Sequence, residues 1–447
     1  MFQSNIRSWI FAISLLLIFQ ISYAQDGPLP YEMDAIRSIE SMLDSKGDPP
    51  LLSFIERSMI PDPLRDQGEM MQKLREIRKD MMGLRDDIAV EAEDYGLRLI
   101  MASADKEKHL KVVLDRKAKA IADLELLETP KLMLLTLDNL KSTFDQLESD
   151  GMSGLVYVKT NGEVQMRHAF GMANRDLNAS NTISTVFGVG SRPIDFTVAG
   201  IFLLDQNGAI NIKDRINKYF DNVPNDKKSM TIEHLMTGQS GLPDFFHTDE
   251  DWDPDLQWID RNTAVRRLLS QELLFAPGTG REHSHGAFGL LAALIEQVSG
   301  ITYYDFLKKH FFDPAGMQRT GEYGTTLGLK VSDFAAGGGP QKIGMPNIPP
   351  NWGPTSWLVK GSGGMYSTLE DLLLFYDYVR SGPVLDKDHS HYFHRATVNL
   401  DGSDRGFELF NAYESPDAEV YLFLNEMGDR DKLRQLMRAL ERLVLSE

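Results

Sequence analysis

Asn161-Gly162 joins two strand-like runs, at residues 154–159 and from 163 to about 170, and this hairpin constrains the fold more than any other stretch. Asn-Gly suits a type I′ turn, because both central residues need positive φ. A helix marked by Leu137, Leu140, Phe144 and Leu147 precedes it and ends at Gly151. A long helical middle follows, then strands near 406–414 and 419–424 and a last helix over 432–445. That order predicts a sheet with helices on both faces. Residues 335–354 are rich in Gly and Pro and read as a long ordered loop, of the kind that often borders a site.

Ahead of this lies a segment of different character. Met70, Leu74, Ile77 and Met81 recur at helical spacing with charges between them, which predicts an amphipathic helix with one face buried. Glu69 and Lys73 are placed to pair across one turn of it. Short runs near 87–92, 97–103, 110–115 and 121–127 read as strands of one sheet. With a break near Thr129-Pro130, the chain divides into a small α+β domain over 25–130 and a larger domain over 131–447.

The first 24 residues stand apart. Arg7 is their only charge, residues 9–19 are strongly apolar, and Ser22-Tyr23-Ala24 offers small residues where a signal peptidase reads. The run is short for a membrane span and reads as a cleavable secretory leader, implying a periplasmic or secreted protein with no membrane span after cleavage. The chain carries a net charge of −18, or −19 without Arg7, and has no basic run, which argues against nucleic acid as a partner. It has no cysteine, so a cysteine-linked lipid anchor, a cysteine nucleophile and thiolate metal sites are excluded.

Five segments carry a resemblance. They are Gly190-Ser191-Arg192-Pro193-Ile194-Asp195-Phe196-Thr197; Thr231 to Pro243, with the core Thr237-Gly238-Gln239-Ser240-Gly241-Leu242-Pro243; Phe275-Ala276-Pro277-Gly278; His283-Ser284-His285; and Gly363-Gly364-Met365-Tyr366-Ser367-Thr368. In this order they resemble the β-lactamase-related serine hydrolases and penicillin-binding proteins, from roughly Thr136 to Leu445. The resemblance implies an α+β fold, a β-lactamase/transpeptidase-like α/β/α sandwich with an antiparallel sheet. The small preceding domain is similar to a segment found before some members.

The resemblance also implies a machinery that this chain has partly replaced. Ser191 matches the nucleophile, but the position one helical turn on, where the family has a Lys, is Ile194. The family's Tyr-x-Asn positions are His283 and His285, and its third motif falls on Leu400-Asp401-Gly402, without a cation. A general base contributes about 10²–10⁴-fold, so loss of the Lys demands a substitute. Neutral imidazole is a better base at neutral pH than a phenol, and His283, at the Tyr position, is the candidate partner of Ser191. Asp195 and His285 are the candidates to orient it. Backbone N–H groups near Ser191 and Ser403 would hold the oxyanion, with His285, Gly402 and Ser403 around the substrate.

Competing readings stand beside these. A Ser just ahead of Pro193 also suits a helix N-cap, and the apolar run after it ends at Asn207-Gly208. His283 and His285, and the run His389, His391, His394, have metal-ligand residue types, although an extended segment puts i and i+2 on one face by default. Trp252, Trp258, Trp352 and Trp357 are candidates to line a pocket or to pack in the core. The sequence thus predicts an exported divergent serine hydrolase of esterase, peptidase or amidase type. It would act on a small-molecule ester or amide or a peptide, without cofactor or metal. The alternatives are a non-catalytic member that binds a ligand such as cell-wall peptide and, third, a metal-assisted site at His283 and His285.

Overall fold

The computed structural model describes residues 20–22, 30–61, 66–84, 87–93, 96–103, 106–128, 133–248, 251, 253, 257–339, 346–403 and 405–445. Apart from residues 20–22, the stretch expected to be a leader lies outside the described residues, as does Trp252. The chain divides into two compact units, Met1–Leu134 and Leu135–Glu447.

In the first unit, β1 (Gln20–Ser22), β2 (Asp87–Glu93), β3 (Gly96–Ser103), β4 (Lys106–Asp115) and β5 (Ala120–Leu127) form one sheet in that order. The first pair is parallel and the rest are antiparallel. Helices α1 (Pro30–Asp44), α2 (Pro49–Ser58) and α3 (Gln67–Met81) complete the unit. The apolar stripe of α3 is buried as its spacing requires: Leu74, Ile77 and Met81 join the same core as Leu99, Leu110 and Leu124 of the strands. The Glu69–Lys73 pair does not form. Lys73 Nζ instead donates to both carboxylate oxygens of Asp123 on β5, at 2.8 and 3.1 Å, because the helix lies against a sheet that supplies a nearer acid.

The second unit is built on β6 (Ser153–Thr160), β7 (Glu163–Phe170), β8 (Thr397–Ser403), β9 (Phe407–Ser415) and β10 (Ala418–Glu426). The order β8-β9-β10-β6-β7 is antiparallel throughout and leaves β8 at an edge. Asn161 and Gly162 both take positive φ, 52° and 76°, as a type I′ turn needs. Alternate side chains separate the two faces. Leu155, Tyr157, Leu409, Tyr421 and Phe423 join the core of the helical middle. Val156, Val158, Phe410, Leu422 and Leu424 point the other way, where α8 (Arg430–Leu445) packs on β9 and β10. The helix before the hairpin, α4, spans Leu140–Ser149, so Leu137 falls in the preceding turn and is exposed.

Within the helical middle, α5 (Pro193–Gln206) and α6 (His285–Ser299) are buried along most of their length. Gly200 lets them approach closely, since a Cβ there would lie 2.8 Å from Ile295 Cδ1. Farther on, α7 (Leu369–Ser381) closes against the start of α5 through Phe196 and Phe375, whose rings meet edge to face at 4.6 Å. The site is assembled where the N-termini of α5 and α6 and the edge strand β8 come together.

Candidate active site

The first support is a pair of loops that zip together. Glu282 N–H donates to Gly238 O at 2.8 Å, Gly278 N–H to Gln239 O at 2.9 Å and Leu274 N–H to Gly241 O at 2.8 Å. This fixes Pro243-Asp244 against the start of α6. Ser284 caps that helix: its hydroxyl accepts from Ala287 N–H at 3.1 Å and donates to Pro243 O at 2.8 Å. Gly286 N–H then donates to Asp244 O at 3.0 Å, and His285 N–H to Asp244 Oδ1 at 2.9 Å. A carboxylate at a helix N-terminus is favoured by the exposed N–H groups and their dipole.

Asp244 Oδ1 also lies 2.7 Å from His285 Nδ1, and His285 Nε2 lies 3.1 Å from Ser191 Oγ. An ionised carboxylate can only accept, so the proton of the neutral ring is assigned to Nδ1 and the lone pair of Nε2 faces the serine hydroxyl. Burial alone would raise the Asp244 carboxyl, but the hydrogen bonds and charge of His285 hold it below its ordinary value. Phe245 stacks on the His285 ring at 4.6 Å with an 11° interplanar angle, which fixes the ring plane from the side. Hydroxyl, imidazole and carboxylate are therefore in series, the arrangement that lets imidazole take a serine proton while a carboxylate steadies the imidazolium.

The second support lies beneath Ser191. Arg192 is buried at the opening of α5, with Nη1 donating to Tyr376 OH at 2.9 Å, to Asp195 Oδ2 at 3.2 Å and to Asn411 Oδ1 at 3.3 Å. Its Nε stands 2.6 Å from Asp401 Oδ2 on β8, an ion contact not aligned as a hydrogen bond. Burial opposes charge on both groups and raises the Asp401 carboxyl, while Asp401, with Tyr376 and Asp195, holds Arg192 protonated. Gly190 brings the two segments together. Its φ is +51°, and a Cβ there would come within 2.9 Å of Asp401 Cβ and 3.0 Å of Gly402 N. Only glycine fits both demands.

A model of the family described as Beta-lactamase matches residues 140–413, more than half of the chain. The chain belongs to the Beta-lactamase family. Penicillin-binding protein 4* of Bacillus subtilis is 29% identical over 248 residues, covering 53% of this chain and 54% of that protein. This chain thus spans about half the length of that relative. A D-aminopeptidase of Brucella anthropi is 31% identical over 174 residues, 38% of this chain and 32% of the enzyme. Among solved structures, a penicillin-binding protein from Bacillus halodurans covers 70% of this chain and all of its own, with a TM-score of 0.54 and 21% identity. That likeness shows the fold, an α+β sandwich with an antiparallel sheet.

On this Beta-lactamase frame the structure redistributes the residues that the sequence singled out. His283 was the expected partner of Ser191, and His285 holds that position instead. The extended Ser284 turns the chain into α6 just as His285 begins it, which aims the later ring at the serine. His283 sits edge-on to His285, with ring centroids 4.6 Å apart. Its ring is exposed in part but crowded by protein, and that desolvation with the neighbouring imidazole pulls its pKa down to about 4. Asp195 does not orient an imidazole; its carboxylate accepts from Arg192 and from Tyr376 OH.

Ser191 is not the helix cap. Arg192 is the N-cap, without a side-chain bond, and Ser191 contributes its carbonyl to Ile194 N–H at 3.0 Å. Ile194 packs against the main core, so no amine stands in the family's Lys position. Gly402 is brought beside Gly190, and Ser403 follows it at the end of β8. His389 is held by two carboxylates, at 2.8 Å from Asp386 and 3.0 Å from Asp205, and His394 by Arg380 O at 3.1 Å. Trp352 and Trp357 are core residues, whereas Trp258 is exposed. The residue missed from sequence is Asp244, although it directly follows the Gly241-Leu242-Pro243 segment that carried the resemblance.

Proposed function

We propose that this chain is a serine hydrolase in which Ser191, His285 and Asp244 replace the family's Ser-Lys-Tyr machinery. The observation that carries the reading is the continuous series from Ser191 Oγ through His285 to Asp244, at 3.1 and 2.7 Å. Ser191 Oγ attacks the substrate carbonyl as its proton passes to His285 Nε2. Asp244 stabilises the imidazolium through Nδ1–H. The backbone N–H groups of Ser191 and of Ser403 on the edge strand receive the oxyanion. His285 then returns the proton to the leaving alcohol or amine, and water repeats the cycle to release the acid.

The substrate class is a small ester or amide, or a short peptide, in keeping with relatives and neighbours named as D-aminopeptidase and D-amino acid amidase. Hydrolysis of β-lactams is the least supported activity, because both the Lys and the Tyr are replaced. The apolar leader makes the periplasm or the exterior the expected compartment. Labelling with a fluorophosphonate probe tests the chemistry. Wild type should label and Ser191→Ala should not. An unlabelled wild type, or equal labelling of the variant, would leave a binding protein without turnover.

A further inference from the structure

The carboxylate and imidazoles beside Ser191 also form a cluster of another kind. Asp244, His283 and His285 each offer one ligand atom, and these atoms all lie within 4.8 Å of one another. Two imidazoles and a carboxylate form a three-ligand set that suits zinc or another late first-row divalent ion, with positions left open for water. Ordinary hydrolase geometry explains Asp244 and His285 but gives His283 no task. Among the described residues no hydrogen-bond partner holds the His283 ring, and that ring is exposed and perpendicular to His285, at 87°. Ion–ligand distances are about 2.0–2.2 Å, so the donors must draw in slightly, and His283 is the one free to turn.

We propose that Asp244, His283 and His285 bind a divalent transition-metal ion that reversibly switches the hydrolase off. The regulatory half rests on the Ser191-His285-Asp244 reading; the binding half does not. The nitrogen of His285 nearest Asp244 is Nδ1, at 2.7 Å. An ion seated between these groups takes the Nδ1 lone pair. The ring proton then moves from Nδ1 to Nε2, so no proton is gained or lost. Nε2–H faces Ser191 Oγ as a donor and can no longer accept the serine proton. The metal also withdraws the Asp244 carboxylate from its role opposite the imidazolium. Loss of the ion restores the original tautomer.

The test uses the untagged, metal-stripped chain with zinc as the probe. Equilibrium dialysis should find one zinc per chain. His283→Ala and His283→Gln should each bind more weakly by at least the roughly 10–100-fold that loss of a mere outer-shell partner costs. Cobalt should give the intense visible bands of a tetrahedral N/O site in wild type alone. Zinc binding equal in wild type and both variants overturns the site. Zinc-loaded protein that labels with the fluorophosphonate as fast as the stripped form overturns the switch. A stripped wild type that never labels also overturns the switch and the hydrolase reading, while the dialysis still decides the metal site.

Discussion

His285 Nε2 stands 3.1 Å from Ser191 Oγ, while His283, two residues earlier, is turned edge-on to His285 and bonds to no described residue. The two residues carry the same side chain, so their places in the fold separate them, and mutation can test the separation. His285→Ala should lower the fluorophosphonate labelling rate by about 10²–10⁴-fold, the usual contribution of a general base. His283→Ala should lower it far less. Equal losses, or a larger loss at His283, would reverse the assignment.

Asp244 makes a different contribution. Asp244→Asn preserves shape, but an amide can offer its N–H to the ring, which favours a proton on Nε2 and the wrong tautomer. In serine proteases the same neutralisation of the triad carboxylate lowers kcat by about 10⁴-fold. A loss of that order, with the far-ultraviolet spectrum unchanged, is expected in steady-state hydrolysis of an activated ester. Turnover within a factor of a few of wild type would mean that Asp244 only anchors the loop.

The buried ion pair beneath the serine predicts a stability effect. Arg192 and Asp401 are both nearly inaccessible, and the guanidinium links the turn bearing Ser191 to edge strand β8. Removing one partner of a buried pair costs up to about 3–5 kcal/mol, and here Asp195 still offsets part of the Arg192 charge. Asp401→Ala should therefore lower the urea midpoint markedly. Asp401→Asn, which keeps an acceptor, should cost less. If Asp401→Ala lies within about 0.5 kcal/mol of wild type, as an ordinary surface substitution would, the pair does not hold the two segments together.

Much of this was legible in the sequence because it rests on local rules. The Asn161-Gly162 turn fixed a hairpin, and α3 buried the stripe its spacing drew. The frame of the site was legible too, since Ser191 and the loss of the Lys at Ile194 are both local facts. What was hidden depended on direction and on tertiary approach. His283 and His285 share a face in an extended segment, and only the capped start of α6 at Ser284 decides which ring meets the serine. Nothing local marks Asp401 as a partner for Arg192, and β8, more than two hundred residues later, brings it there. Lys73 finds Asp123 rather than Glu69 for the same reason.

His389 supplies a pH-dependent prediction remote from the cleft. Burial would lower its pKa, but the hydrogen bonds it donates to Asp205 and Asp386 overcome this and raise it above the ordinary value. In the unfolded chain the imidazole titrates near ~6.5. A folded pKa above that means the native state binds the proton more tightly. The stabilisation is complete below about pH 6.5 and is lost as pH rises through the folded pKa. His389→Gln should thus cost more stability near about pH 5.5 than near about pH 8.5, in urea denaturation of the full chain. A wild-type advantage that is flat across this range, or that grows with pH, would mean that His389 is held as a neutral ring and that the two carboxylates do not charge it.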